Sequence, residues 1–139
     1  MLTLSTFSAQ GSWTAHCFYA WISDSQSIVF TTDPETRHGR EMLLNPCVSG
    51  GIMLETKVIG KIRGIQLTGR AFPCRPGESG NPTSDNGILV SESEARLAYL
   101  KRFPFALAVK LDLWVLTIDY VKMTDNRLGF GKKLEWRRG

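Results

Sequence analysis

The stretch IVFTTDPETRHGREMLLNPCV, from Ile28 to Val48, decides the fold class. An apolar run, Ile28-Val29-Phe30, ends in paired hydroxyls at Thr31 and Thr32. A helix start follows, signalled twice: Thr32 with Glu35 fits a capping box, and Asp33 fits an N-cap with Pro34 at the first helical position. The helix is predicted to run through Leu44, because the residue ahead of Pro46 is pushed out of the α region. Cys47-Val48 then begins another apolar run. A strand end feeding a helix start, with Thr36, Arg37 and His38 beside it, is a plausible seat for a phosphate group. Free helix N–H groups and the positive end of the helix dipole attract anions, and arginine adds a bidentate fork. An alternative reading has Asp33, Glu35 and Glu41 offsetting Arg37 and His38 in a solvated surface cluster.

Upstream, the chain reads as strands separated by short polar turns. Leu2 to Phe7 is β-like and Ser8 to Ser12 turns the chain. Trp13 to Trp21 alternates, placing Trp13, Ala15, Cys17, Tyr19 and Trp21 on one face. Ser23 to Ser27 makes the next turn. Strands at roughly ten-residue spacing predict an antiparallel sheet or barrel. Downstream, Cys47 to Leu54 and Lys57 to Phe72 read as two further strands. Gly60, Gly64 and Gly69 in the second predict a bulged, strongly bent strand. Pro73 to Val90, rich in Pro, Gly, Ser and Asn, is expected to be a mobile surface loop. Ser91 and Glu94 frame a capping box for a helix through about Arg102, which Pro104 divides from a shorter one ending near Lys110. Leu113 to Met123, apolar on both faces, predicts a strand buried on both sides, and Lys132 to Arg137 the last strand. The fold expected is mainly β: a six- or seven-stranded antiparallel Greek-key barrel with two peripheral helical segments, all within one domain of 139 residues.

Composition narrows the function classes. An apolar fraction of 42% supports a real core, and a net charge of +4 favours anionic ligands mildly. No Lys/Arg stripe dominates any segment, so nucleic acid is not the expected partner. No apolar run approaches the ~20 residues of a membrane helix, and no signal-peptide pattern opens the chain. Cys17, Cys47 and Cys74 have no close spacing and read as free thiols in a reducing cytoplasm. No pair of His and Cys shows metal-ligand spacing, and no nucleophile elbow is present. The Gly129-Phe130-Gly131-Lys132-Lys133 run lacks the first glycine and the Ser/Thr of a phosphate-binding P-loop.

Taken in order, Leu2 to Thr6, the Gly11 turn, Trp13 to Trp21, Ile28 to Thr32, Thr36-Arg37-His38, Asn45 to Val48 and Ile62 to Gly69 resemble the flavin-binding split barrels related to pyridoxamine 5'-phosphate oxidase. Arg102-Phe103-Pro104 and the run from Thr124 to Lys133 are similar to one branch, the small bacterial proteins of YhbP type. The resemblance implies a six-stranded split barrel that forms a homodimer and binds flavin mononucleotide (FMN) between subunits. It also implies hydride or electron transfer, with a nicotinamide or other small molecule as redox partner. By that likeness His16, Phe18 and Tyr19 lie along the isoalloxazine ring, and Thr31 and Thr32 approach the ribityl-phosphate chain. Thr36, Arg37 and His38 match a Ser-Arg-Lys phosphate cluster.

Departures from that pattern are specific. The oxidase has Arg where this chain has His16, Lys where it has Trp21, and Lys where it has His38. Its C-terminal Arg-x-His element is replaced by Leu128 to Lys133, so pyridoxamine phosphate oxidation is not expected. The chain begins directly in the first strand, which exposes one barrel edge or marks a late start. A split-barrel module that binds another ligand, or none, is the alternative function.

Overall fold

The computed structural model describes residues 1–75 and 90–139. Eight strands form one antiparallel sheet: β1 (Leu2–Ser8), β2 (Gly11–Cys17), β3 (Tyr19–Ile22), β4 (Ser27–Thr31), β5 (Cys47–Met53), β6 (Arg63–Pro73), β7 (Leu113–Asp125) and β8 (Lys133–Arg137). Two α-helices flank them, α1 (Arg37–Leu44) and α2 (Glu92–Arg102). The strand order is β2-β1-β5-β6-β7-β4-β3, with β8 pairing the C-terminal half of β7. Because β2 and β3 are joined only by Phe18 yet sit at the two ends of this path, the sheet must curl round on itself. Counted that way, six strands make a split barrel and β8 is a seventh, as the sequence predicts. Among the described residues no helix is long and apolar enough to cross a membrane.

Register separates the two ends of the barrel. Ser8, Thr31, Cys47, Pro73 and Leu113 lie at one end, where α1 packs on β1, β2 and β6. Met1, Met53, Arg63 and Asp125 lie at the other. Inward-facing residues alternate as strand geometry requires. Leu2 and Leu4 of β1, Val48 of β5, Leu67 of β6 and Leu116 and Ile118 of β7 meet Phe30, Trp114 and Met42 in the interior. Phe30 and Trp114 stack at 6.4 Å and are fully buried, each contributing roughly 1.5–3 kcal/mol by removal from water. A second apolar cluster lies outside the sheet, where Val29 and Val115 meet Ala95 and Tyr99 of α2. The double burial predicted for β7 therefore holds over Leu113 to Ile118.

Four sequence expectations shift. The alternation from Trp13 to Trp21 is interrupted at Phe18. Beyond it Ala20 and Ile22 turn toward α2, while Trp13 and Trp21 remain 44% and 49% exposed. A chain that closes a barrel has to bend, and the bend falls where β2 leaves β1 and β3 joins β4. Helix α1 starts at Arg37 rather than at Asp33 or Pro34, because Asp33 folds its own turn. Its carboxylate accepts from Glu35 N at 2.8 Å and its carbonyl accepts from Thr36 N at 3.1 Å. Thr36 is the true N-cap, accepting from Gly39 N at 3.1 Å. Gly39 belongs there, since a Cβ would sit 2.6 Å from the Asp33 carbonyl oxygen.

The strand expected from Lys57 begins only at Arg63. Ile59–Lys61 forms a 3-10 turn, with Ile59 O accepting from Asn126 Nδ2 at 2.9 Å. The bulge expected in the glycine-bearing strand falls instead on its partner: the register shifts at Thr68/Gly69, where Asp119 of β7 is the extra residue. Helix α2 follows its capping box, with Ser91 accepting from Glu94 N at 3.2 Å, but the segment after Pro104 is a 3-10 helix, Pro104–Ala108. Most of the loop expected over Pro73 to Val90 lies outside the described residues.

Candidate functional site

The residues singled out in the sequence fall into three groups. The first sits where β4 runs into α1. Thr32 Oγ1 is hydrogen-bonded to His38 Nε2, and Thr36 Oγ1 lies 3.4 Å from the same nitrogen. Trp114 Nε1 donates to Thr32 O at 3.0 Å, pinning the strand end to the core. Thr36 has little left to offer a ligand: its hydroxyl donates to Asp33 O at 2.7 Å and caps Gly39. Burial pushes the His38 imidazole below its ordinary pKa, against the opposing pull of Glu41. A neutral ring therefore stands where the oxidase pattern has a charged lysine. The backbone N–H groups of Arg37 and His38 have no partner among the described residues, as the first turn of a helix dictates.

Arg37 points away from His38, about 100° round the helix. Its Nε donates to Glu41 Oε1 at 2.9 Å and its guanidinium lies 4.5 Å from the centre of the Trp13 ring. Glu41 is itself fixed, accepting from Thr6 Oγ1 at 2.5 Å and Ser8 Oγ at 3.1 Å. The Thr6 hydrogen bond, followed by that from Arg37, holds the Glu41 carboxyl below its ordinary pKa. The surface-cluster reading was thus right about Glu41. Asp33 and Glu35 do not pair with Arg37: Asp33 serves its own turn, and Arg40 takes the Glu35 carbonyl at 2.6 Å. The Glu41 contact uses only Nε, so both terminal nitrogens of Arg37 lack a partner among the described residues, and the side chain is 34% exposed.

Thr31 forms a separate group. Its hydroxyl meets Tyr99 OH at 3.2 Å on the α2 side of the sheet, because successive strand residues face opposite ways. The third group lines the β2–β3 bend. His16 Nδ1 is 3.2 Å from Thr3 Oγ1, Phe18 packs edge-on against Phe103 at 5.6 Å, and Tyr19 lies under the Arg102 guanidinium at 4.4 Å. Cys17, between them, is buried, and burial pushes its thiol up to about 11, so it is no nucleophile at neutral pH.

Sequence reasoning missed Trp13 as part of the mount for Arg37, and Arg102 as the partner of Tyr19. The i,i+4 spacing of Arg37 and Glu41 was a usable signal. Trp13 and Thr6 carried none, since they meet α1 only through the curl of the sheet.

The fold is that of the split barrels related to pyridoxamine 5'-phosphate oxidase, and solved structures that share it include one described as haem-binding and one as FMN-binding. It superposes on a haem-binding protein from Mycobacterium smegmatis with a TM-score of 0.70 and 21% identity, covering 98% of this chain and 52% of that one. The chain therefore spans about half the length of that structure. A pyridoxamine 5'-phosphate oxidase-related, FMN-binding protein from Nostoc punctiforme matches with a TM-score of 0.64 and 12% identity, covering 99% and 80% of the two chains. No family profile matches the sequence. Individual relatives do: a UPF0306 protein of Photorhabdus laumondii is 39% identical over 138 residues, covering 99% of this chain and 87% of the relative. One from Serratia proteamaculans is 38% identical over 141 residues, with the same coverage. The chain belongs to the UPF0306 family, the YhbP-like branch of the split barrels.

Proposed function

We propose that this protein binds FMN, with the flavin phosphate at the start of α1, and that it works as a homodimeric cytoplasmic flavoprotein. The observation that carries the reading is Arg37: a guanidinium clamped by Glu41 and Trp13, whose terminal nitrogens have no partner among the described residues, on a helix start with two N–H groups likewise without one among them. Such a donor set fits a phosphate dianion, since the arginine is held in place before the ligand arrives. Thr32 carries its hydroxyl on the His38 side of the same helix start, hydrogen-bonded to that ring, whereas Thr36 and Thr31 are engaged elsewhere. Phe18 and Tyr19, on the β2–β3 bend, are the aromatic residues offered to the ring. The flavin would supply hydride or electron transfer, with a nicotinamide or a small oxidant as redox partner. This chain's residues bind and orient it, and none is assigned as acid or base.

A second reading, a split-barrel module for another ligand, is favoured by His16 and by the neutral His38. Both stand where the oxidase pattern has cations, so this phosphate seat has fewer charges. A visible spectrum of the purified protein, before and after adding FMN and removing the excess, separates the two. Retained flavin bands support the first reading, and a protein that holds no flavin leaves the second.

A further inference from the structure

The barrel end remote from α1 opens into a cleft of about 670 Å³. Tyr19 and Trp21 of β3 form one wall, Met53 of β5 another, and Ile65, Val121 and Met123 the floor. Trp21 is 49% and Met53 71% exposed, so this apolar surface is open to water. Its polar groups are confined to one corner, where Arg63 of β6 lies directly across from Asp125 of β7, next to Arg127.

That corner holds two guanidiniums and one carboxylate. Asp125 is buried and already saturated by Arg127, accepting from Nε at 2.9 Å, from Nη2 at 2.5 Å and from the backbone N–H at 3.0 Å. Arg63 is exposed and makes no hydrogen bond through its side chain among the described residues. Arg63 and Asp125 attract one another across the strand pair, but two guanidiniums against one carboxylate leave this corner net positive at the edge of an apolar cavity. The volume falls in the small-molecule range of roughly 300–1,000 Å³, and the pattern of apolar walls with a few convergent polar groups is that of a ligand pocket. Methionine side chains at two positions let the walls adapt to a flat guest.

We propose that this cleft binds a small apolar monoanion, its aromatic or hydrocarbon body on Trp21, Met53 and Met123 and its charged group on Arg63. The charged corner is at the opposite end of the barrel from Arg37, and of the cleft's lining Tyr19 alone is shared with the flavin reading. A second copy of the chain is the competing occupant, but it gives no reason for a net positive corner on the cleft's edge.

The probe is 8-anilinonaphthalene-1-sulfonate, titrated into the whole protein by fluorescence, with neutral N-phenyl-1-naphthylamine in parallel. The sulfonate is expected to bind one per chain and about tenfold more tightly than the neutral amine, as one charge-assisted contact implies. Arg63→Gln should abolish that tenfold preference while leaving amine binding and the melting temperature unchanged. Trp21→Ala should weaken both probes. Equal affinities that Arg63→Gln does not alter would overturn the proposal. So would binding that fades as protein concentration rises because a second copy fills the cleft.

Discussion

The two ends of this barrel are built on opposite principles. At the α1 end most polar side chains are tied inward: Glu41 takes three side-chain donors, Trp114 donates to Thr32, and Met42 plugs the interior, while the terminal nitrogens of Arg37 stay unpartnered among the described residues. At the far end the strands simply stop, leaving Met53 and Trp21 in water around a single saturated carboxylate, Asp125. The first end is fixed by long-range contacts, so an arginine mounted there is held in one orientation. The second is free of such constraints and keeps its volume for a guest. Stability and preorganisation thus concentrate at one end, and open apolar surface at the other.

Substitutions should break this contrast to very different degrees. Trp114→Ala removes the largest fully buried side chain and the donor to Thr32 together. It should lower unfolding free energy by about 3–5 kcal/mol in urea titrations. Glu41→Gln comes next, because it unseats Arg37, Thr6 and Ser8 at once. Glu41 has its folded pKa depressed, so its stabilisation is present above the ordinary carboxylate value and is lost as pH falls through the folded one. The melting-temperature gap between wild type and Glu41→Gln should be widest near neutrality and narrow as pH falls below the ordinary carboxylate value.

His38 gives a smaller effect in a different window. Its folded pKa lies below the ordinary 6.5, so the unfolded chain takes up a proton first as pH falls. Stability should decline as pH drops through 6.5, and His38→Gln should flatten that part of a pH series of thermal melts. The smallest effect belongs to the open end. Met53→Glu, at a position 71% exposed, should change stability by no more than about 0.5 kcal/mol in the same urea titrations.

The same contrast explains what the sequence revealed. Strand periods, turn residues and the Ser91–Glu94 capping box depend on neighbours in the chain, and they placed seven of the eight strands and both helices. Phe18 could not announce a bend, because the bend comes from β2 and β3 pairing with β1 and β4 at opposite ends of the sheet. At Thr32 to Thr36, four side chains compete to cap one helix. The winner is decided by Asp33 closing its own turn, a local outcome that pattern alone does not rank. The Arg37–Glu41 pairing was legible as a local charge cluster, whereas Trp13 and Thr6 were not legible as parts of its mount, since they lie 24 and 31 residues from Arg37 in the chain. The cleft was invisible for the same reason: its lining is drawn from β3, β4, β5, β6 and β7, one to four residues from each.

The central claim, that the start of α1 seats a flavin phosphate through Arg37, is tested most directly by titrating the protein with FMN and with riboflavin, which lacks the phosphate. Wild type should bind FMN more tightly than riboflavin. Arg37→Ala should lose about one to two orders of magnitude for FMN and little for riboflavin, as loss of a charge-assisted pair implies. Equal affinity for the two flavins, unchanged by Arg37→Ala, would contradict the account and take Arg37 out of any cofactor site.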